Sequence, residues 1–210
     1  MCGIVTIMSP DGGVRAERLL RAVRALAHRG SDGSGLWIAE HGRVGMGQAK
    51  LSIIDLESGE QPIASRDGKI RIVVDGEFHD HDRIRDELVA RGHEFRTRSD
   101  SEIALHLYED AGAAFMQQLR GEFAFVLWDE CKGLLIAARD RFGMKPLYYT
   151  WHEGRLYLAS ETKALLAAGV PAASDREVSR QVPPGHLLLT TRWRFTTTWR
   201  ATPSATTPTT

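Results

Sequence analysis

Hydrophobic and polar positions along the chain change period several times, and each change marks an element. Ile4–Met8 is an apolar run that stops at Ser9-Pro10-Asp11-Gly12-Gly13, a strong turn signal, so it predicts a buried strand. Ala16, Leu19, Leu20, Val23, Leu26 and Ala27 follow with helical spacing. That helix should end at His28-Arg29-Gly30-Ser31-Asp32-Gly33-Ser34-Gly35, which is too rich in glycine for regular structure. Strands are expected at Leu36–Ala39, Leu51–Ile54 and Ile70–Val74. A helix over Asp82–Ala90 should turn Ile84, Leu88 and Val89 inward.

Ser99-Asp100-Ser101-Glu102 has the form of a capping box and should open a helix running through Tyr108. Strands at Glu122–Trp128, Leu134–Ala138 and Leu156–Ala159 come next, followed by a short helix near Thr162–Ala168. Hairpin turns between clustered strands point to an α+β domain of mostly antiparallel sheets covered by helices. From Thr190 onward the chain has no acidic residue and is rich in Thr, Arg and Pro. Alternation from Arg192 to Arg200 allows an edge strand, and Ala201–Thr210 reads as disordered. The organisation expected is therefore a domain over residues 1–189 and a tail over 190–210.

Composition narrows the classes of function. The 210 residues suit one domain with a real core. Its 27 basic and 27 acidic residues cancel, which argues against nucleic acid or an anionic membrane as the main partner. Two cysteines, Cys2 and Cys131, make no disulfide framework, and Cys131 falls in a hairpin turn. No apolar stretch approaches membrane-spanning length and no signal peptide precedes Cys2, so a soluble, cytoplasmic protein is expected. No metal site and no cofactor are expected in this chain.

The chemistry begins at Met1-Cys2-Gly3. Removing Met1 would leave a first residue holding both a thiol and a free α-amine. That amine has a pKa of roughly 7.7–8.0, so a useful fraction is neutral at physiological pH and can take the thiol proton. A thiol with a base beside it is an activated nucleophile for acyl transfer. A start codon followed by a small residue and a strand explains the same letters.

Motifs spread along the chain favour the chemical reading. They are Met1-Cys2-Gly3-Ile4, the His28–Gly35 loop, Leu51-Ser52-Ile53-Ile54-Asp55, Gln61-Pro62-Ile63, Asp75-Gly76-Glu77-Phe78, Ser99-Asp100-Ser101-Glu102 and Gly121–Phe125. Further on come Ala138–Tyr149, Ala159–Leu165 and Pro183-Pro184-Gly185-His186. Together, in this order, they resemble the N-terminal glutaminase domain of class II glutamine amidotransferases, specifically of the asparagine synthetase (glutamine-hydrolysing) type. The resemblance implies an N-terminal-nucleophile αββα sandwich of two antiparallel sheets between helical layers.

It also implies residue roles. Cys2 would attack the side-chain amide of glutamine, release ammonia and leave a glutamyl thioester for water. Gly76 matches a glycine whose N–H helps form the oxyanion hole, Glu77 a substrate-side acid, and Asp100 the acid that receives the glutamine α-amine. Ile53 lies in the substrate-side motif, and Arg29 matches a positioning residue. His28 is not needed as a base, because the α-amine fills that role. As a plain reading, Asp100 is also a first-turn acid favouring a helix N-terminus.

Three departures from the family pattern stand out. Lys50 replaces the Arg that clamps the α-carboxylate, keeping the charge but losing the bidentate fork. Asp75 replaces an Asn that donates to the oxyanion, and an ionised Asp has no donor. A phosphate-loop run of the ATP-pyrophosphatase type is missing from the 210 residues. Ammonia would then pass to an ATP-pyrophosphatase-type synthetase domain or subunit, with ATP and Mg belonging to that absent partner. An active glutaminase domain, an impaired glutamine-binding scaffold and an amidohydrolase for another amide all remain open.

Overall fold

The computed structural model describes residues 2–51, 60–172 and 196–200. Two five-stranded sheets form the centre, and every strand pair in them is antiparallel. The first sheet has the order β2 (Gly33–Ile38), β3 (Val44–Lys50), β1 (Gly3–Met8), β9 (Arg155–Ala159), β8 (Tyr148–His152). The second runs β10 (Thr196–Arg200), β7 (Leu134–Arg139), β6 (Gly121–Asp129), β5 (Ile70–Phe78), β4 (Ile63–Ala64).

Period-2 alternation assigns the faces. In β1, Val5 and Ile7 pack under helices α1 (Ala16–Ala25) and α4 (Thr162–Ala167), while Ile4 and Met8 face the other sheet. In β5, Ile72 and Val74 pack under α3 (Ser101–Ala111), whereas Val73 meets Val126, Met46 and Leu158 between the sheets. Helix α2 (His81–Ala90) buries Ile84 and Leu88 on the same outer layer as α3. The result is a four-layer αββα sandwich, as the family resemblance implies.

Several expectations are corrected. The glycine-rich loop is shorter than its composition suggests, because Gly33-Ser34-Gly35 already belongs to β2. A Cβ at Gly35 would lie 1.7 Å from the Gln61 carbonyl oxygen, so glycine is there for close approach and not for disorder. Strand β3 was not expected; its Gly45 and Gly47 admit the Val14, Leu19 and Val23 side chains, letting α1 lie close on the sheet. Of the strand expected at Leu51–Ile54, Leu51 lies just past β3 and Ser52–Ile54 lie outside the described residues.

The capping box does not form. Helix α3 starts at Ser101, and the Glu102 carboxylate instead accepts the Arg96 and Thr97 N–H groups and the Thr97 hydroxyl. Val89 faces solvent at 54% exposure, so the apolar stripe of α2 is only Ile84 and Leu88. Tyr148–His152 forms an unanticipated edge strand, and Thr196–Arg200 supplies the edge strand that the alternation allows.

Candidate active site

Cys2 precedes β1 and continues the face that carries Ile4 and Met8 toward the opposite sheet. Asp75 extends the face of Val73 on β5 in the same way. Gln48 and Lys50 share the inward face of β3 with Val44 and Met46. Alternation on three strands thus delivers polar side chains to one end of the inter-sheet space. There a cleft of about 150 Å³ is lined in part by Cys2, Lys50, Asp75, Gly76, Glu77 and Asp100, with Lys145, Gln48 and Gln61 beside them.

The Cys2 thiol sits against Leu51, just past β3, 3.5 Å from its N–H and 3.7 Å from its carbonyl. Burial pushes its pKa above the usual thiol value, and Asp75 adds to the rise. The Leu51 N–H and Lys50 oppose it. The resting group is therefore a neutral thiol, which needs a base to become a nucleophile.

Asp75 is fully buried. Its Oδ2 accepts from Arg29 Nη2 at 2.9 Å and from the Ser160 hydroxyl at 3.3 Å, while Oδ1 has no hydrogen-bond partner. Burial outweighs the Arg29 pair and raises the carboxyl pKa. The carboxylate that replaces the family's Asn donor is held by a cation. Arg29 also donates to the Cys2 carbonyl at 2.8 Å and to Glu161 at 3.2 Å, so it ties the nucleophile's backbone to Asp75. Ser160 closes the same link, accepting the Ile4 N–H at 3.0 Å. His28 turns to Glu161 (2.8 Å) and Lys163 (3.1 Å), away from a role as base for Cys2.

Gly76 lies within β5 opposite Phe123, so Asp75-Gly76 is strand and not a turn. Its φ of +136° is open to glycine, and a Cβ would stand 2.0 Å from the Glu122 carbonyl oxygen. Gly76→Ala is expected to destabilise the fold by about 3 kcal/mol or more, since backbone must move to relieve the clash. Urea denaturation of the variant checks this, and a loss under about 1 kcal/mol would mean the strand relaxes freely.

Asp100 occupies the N-cap position of α3, but its side chain does not cap the helix. Its Oδ2 accepts the Phe78 N–H at 2.6 Å, fastening the end of β5 to the start of α3. Burial raises its pKa against that bond. Ile53 lies outside the described residues, as do Met1 and Pro183–His186. Sequence reasoning gave no role to Lys145, Gln48, Gln61 or Ser160, although three of them stand in quoted motifs. Lys145 is set by Asp140, whose buried carboxylate accepts the N–H groups of Phe142, Met144 and Lys145 at 3.0 Å each. Gln48 donates to the Val74 carbonyl (3.0 Å) and Gln61 accepts the Val74 N–H (2.6 Å), so two glutamines saturate the backbone beside Asp75.

Comparisons with known proteins agree with this geometry. A family model described as a glutamine amidotransferase domain matches residues 1–193. An asparagine synthetase (glutamine-hydrolyzing) of Sandersonia aurantiaca is 40% identical over 190 residues, 89% of this chain and 34% of that protein. An amidase, chry2, of Gibberella zeae is 44% identical over 182 residues, 81% of this chain and 27% of that protein. The chain thus spans about a third or less of these curated relatives. Among solved structures, glutamine phosphoribosylpyrophosphate amidotransferase from B. subtilis superposes with a TM-score of 0.69 over 80% of this chain and 44% of its own. At 21% identity that likeness concerns the fold. No helix among the described residues is long and apolar enough to cross a membrane.

Proposed function

The chain belongs to the glutamine amidotransferase domain family, and from that premise we propose that it hydrolyses glutamine at Cys2 and supplies ammonia to an ATP-dependent synthetase partner. The observation that carries this reading is the meeting of Cys2, Asp75-Gly76, Lys50 and Asp100 in one cleft although they are distant in sequence. With Met1 removed, the Cys2 α-amine takes the thiol proton as sulfur attacks the amide carbon of glutamine. The Gly76 N–H receives the developing oxyanion. The protonated amine returns its proton to the leaving nitrogen, ammonia departs, and water then cleaves the thioester to glutamate.

Lys50 pairs with the glutamine α-carboxylate and Asp100 with its α-amine, contacts strengthened by full charge. Glu77 borders the same end of the cleft, and Ile53 belongs to the same substrate-side motif. The ammonia acceptor is a carboxylate activated by ATP, giving asparagine or a related amide on an ATP-pyrophosphatase-type partner in the cytoplasm. The curated asparagine synthetase relatives support that class of partner.

A glutamine-mimicking diazoketone tests the assignment. Intact mass and peptide mapping should place a single label on Cys2 of a chain lacking Met1. Label on exposed Cys131 instead, or a retained Met1, would sink the mechanism.

Asp100→Asn separates recognition from folding. Asn keeps an oxygen to accept the Phe78 N–H but loses the charge offered to an ammonium. The glutamine KM should rise by about tenfold to a hundredfold while stability falls by only about 1 kcal/mol. Equal loss of fold and binding would leave Asp100 as a structural tether alone.

A second reading rests on Asp75, whose carboxylate stands where the family pattern places an amide donor. In that reading the domain binds glutamine but turns it over poorly.

A further inference from the structure

Beside the β4 edge of the second sheet, three side chains converge outside the cleft described above. His93 follows α2, and His106 and Glu109 lie one turn apart on α3. His93 Nδ1 is 3.2 Å from His106 Nδ1, His106 Nδ1 is 2.8 Å from Glu109 Oε2, and His93 Nδ1 is 3.5 Å from the same oxygen. Zinc bonded at about 2.0–2.1 Å in a tetrahedron holds its donors about 3.3 Å apart, so this triangle brackets the required size.

Two imidazole nitrogens facing each other at 3.2 Å need something between them or a proton on one. The second layer decides which nitrogen offers its lone pair. Asp110 Oδ1 sits 2.8 Å from His93 Nε2 and holds the proton there, leaving Nδ1 free to ligate. Asp110 is itself held by Arg91 at 2.6 Å, whereas His106 Nε2, 3.6 Å from Glu102 Oε1, makes no hydrogen bond among the described residues. A carboxylate behind an imidazole is the arrangement that orients histidine on a metal. The triangle opens on a cleft of about 380 Å³ lined in part by Arg66, Phe95 and Arg96, which leaves room for a water as fourth ligand.

We propose that His93, His106 and Glu109 bind one zinc ion, or a divalent cation of similar softness, as a clip between the segment after α2 and helix α3. Two nitrogens and one carboxylate oxygen form a zinc donor set. The sequence analysis expected no metal; His93 and His106 are separated by twelve residues and match no recognised ligand spacing. The clip is separate from glutamine chemistry: no ligand lines the Cys2 cleft, although α3 carries Asp100 at its start.

The test uses the full chain without an affinity tag, carrying Cys2→Ser and Cys131→Ser so that no thiolate competes for metal. Zinc chloride titrated by calorimetry in a non-chelating buffer should show one saturable equivalent and raise the Tm. Cobalt(II) should give the visible absorption of a tetrahedral site. His93→Gln and Glu109→Gln should each weaken zinc by at least about 100-fold, and Asp110→Asn by roughly 10–100-fold. If His93→Gln fails to fold by circular dichroism, the more exposed Glu109→Gln decides. Absence of saturable zinc, or affinity unchanged in the ligand variants, overturns the site. Binding without a rise in Tm overturns the clip.

Discussion

Cys2→Ala is expected to lower glutamine hydrolysis by roughly 10⁴–10⁶-fold, the scale seen when a nucleophile that works as one unit with its base is removed. The thermal melt should move by only a few degrees, since among the described residues the lost sulfur hydrogen-bonds the Leu51 backbone alone, at 3.5–3.7 Å. Glutamine should still bind, because Lys50 and Asp100 are untouched. Initial rates of glutamate release, with binding followed by calorimetry, check both halves. Hydrolysis within tenfold of the parent chain would remove Cys2 from the chemistry altogether, whatever the family pattern.

Asp75→Asn carries the largest expected gain. On the proposed mechanism the substitution places an amide N–H where the oxyanion develops, and one such donor is worth roughly 10²–10³ in kcat. Arg29 would not be orphaned, because Glu161 and the Cys2 carbonyl remain its acceptors. Removing the carboxylate also removes one cause of the raised Cys2 pKa, so the thiol limb of the pH–rate profile should move to lower pH. Stability follows the same charge. A carboxyl raised above its ordinary 3.8 contributes most when protonated, and that contribution is lost as pH climbs through the folded value. The Asn variant should accordingly gain on the parent between acid and neutral pH in thermal melts. A rate that is unchanged or lower would mean that Asp75 acts by holding Arg29 in place and not at the oxyanion.

The sequence was most readable where burial is one-sided or complete. Ile4–Met8, the α1 stripe of Leu19 and Val23, and the Phe123–Trp128 run announce their elements because their apolar periods match one structure each. It misled where glycine serves packing: Gly35, Gly45 and Gly47 lower strand propensity yet sit in strands, as tertiary contact demands their missing side chains. Ser99 and Glu102 matched a capping box, but the preceding segment offered Glu102 three better donors.

In the site, Cys2, Lys50, Gly76, Glu77 and Asp100 could be anticipated from motifs and do line one cleft. The pairing of Arg29 with Asp75 could not, because it joins residues 46 apart, one in the loop after α1 and one on β5. Nor could the Gln48–Gln61 brace, whose partner is backbone.

That cross-sheet linkage makes the cleft a gauge of inter-sheet spacing. Lys50 rides on the first sheet with Cys2 just ahead of β1, Asp75 and Gly76 ride on the second, and Arg29, Ser160 and Gln48 rivet one side to the other near the thiol. Everything farther in is interdigitated side chain, chiefly Met46, Trp128, Val126 and Leu158. A methyl group gained or lost there alters the gap that sulfur must cross to its carbonyl, so drift in these apolar positions is filtered by turnover before it is filtered by folding.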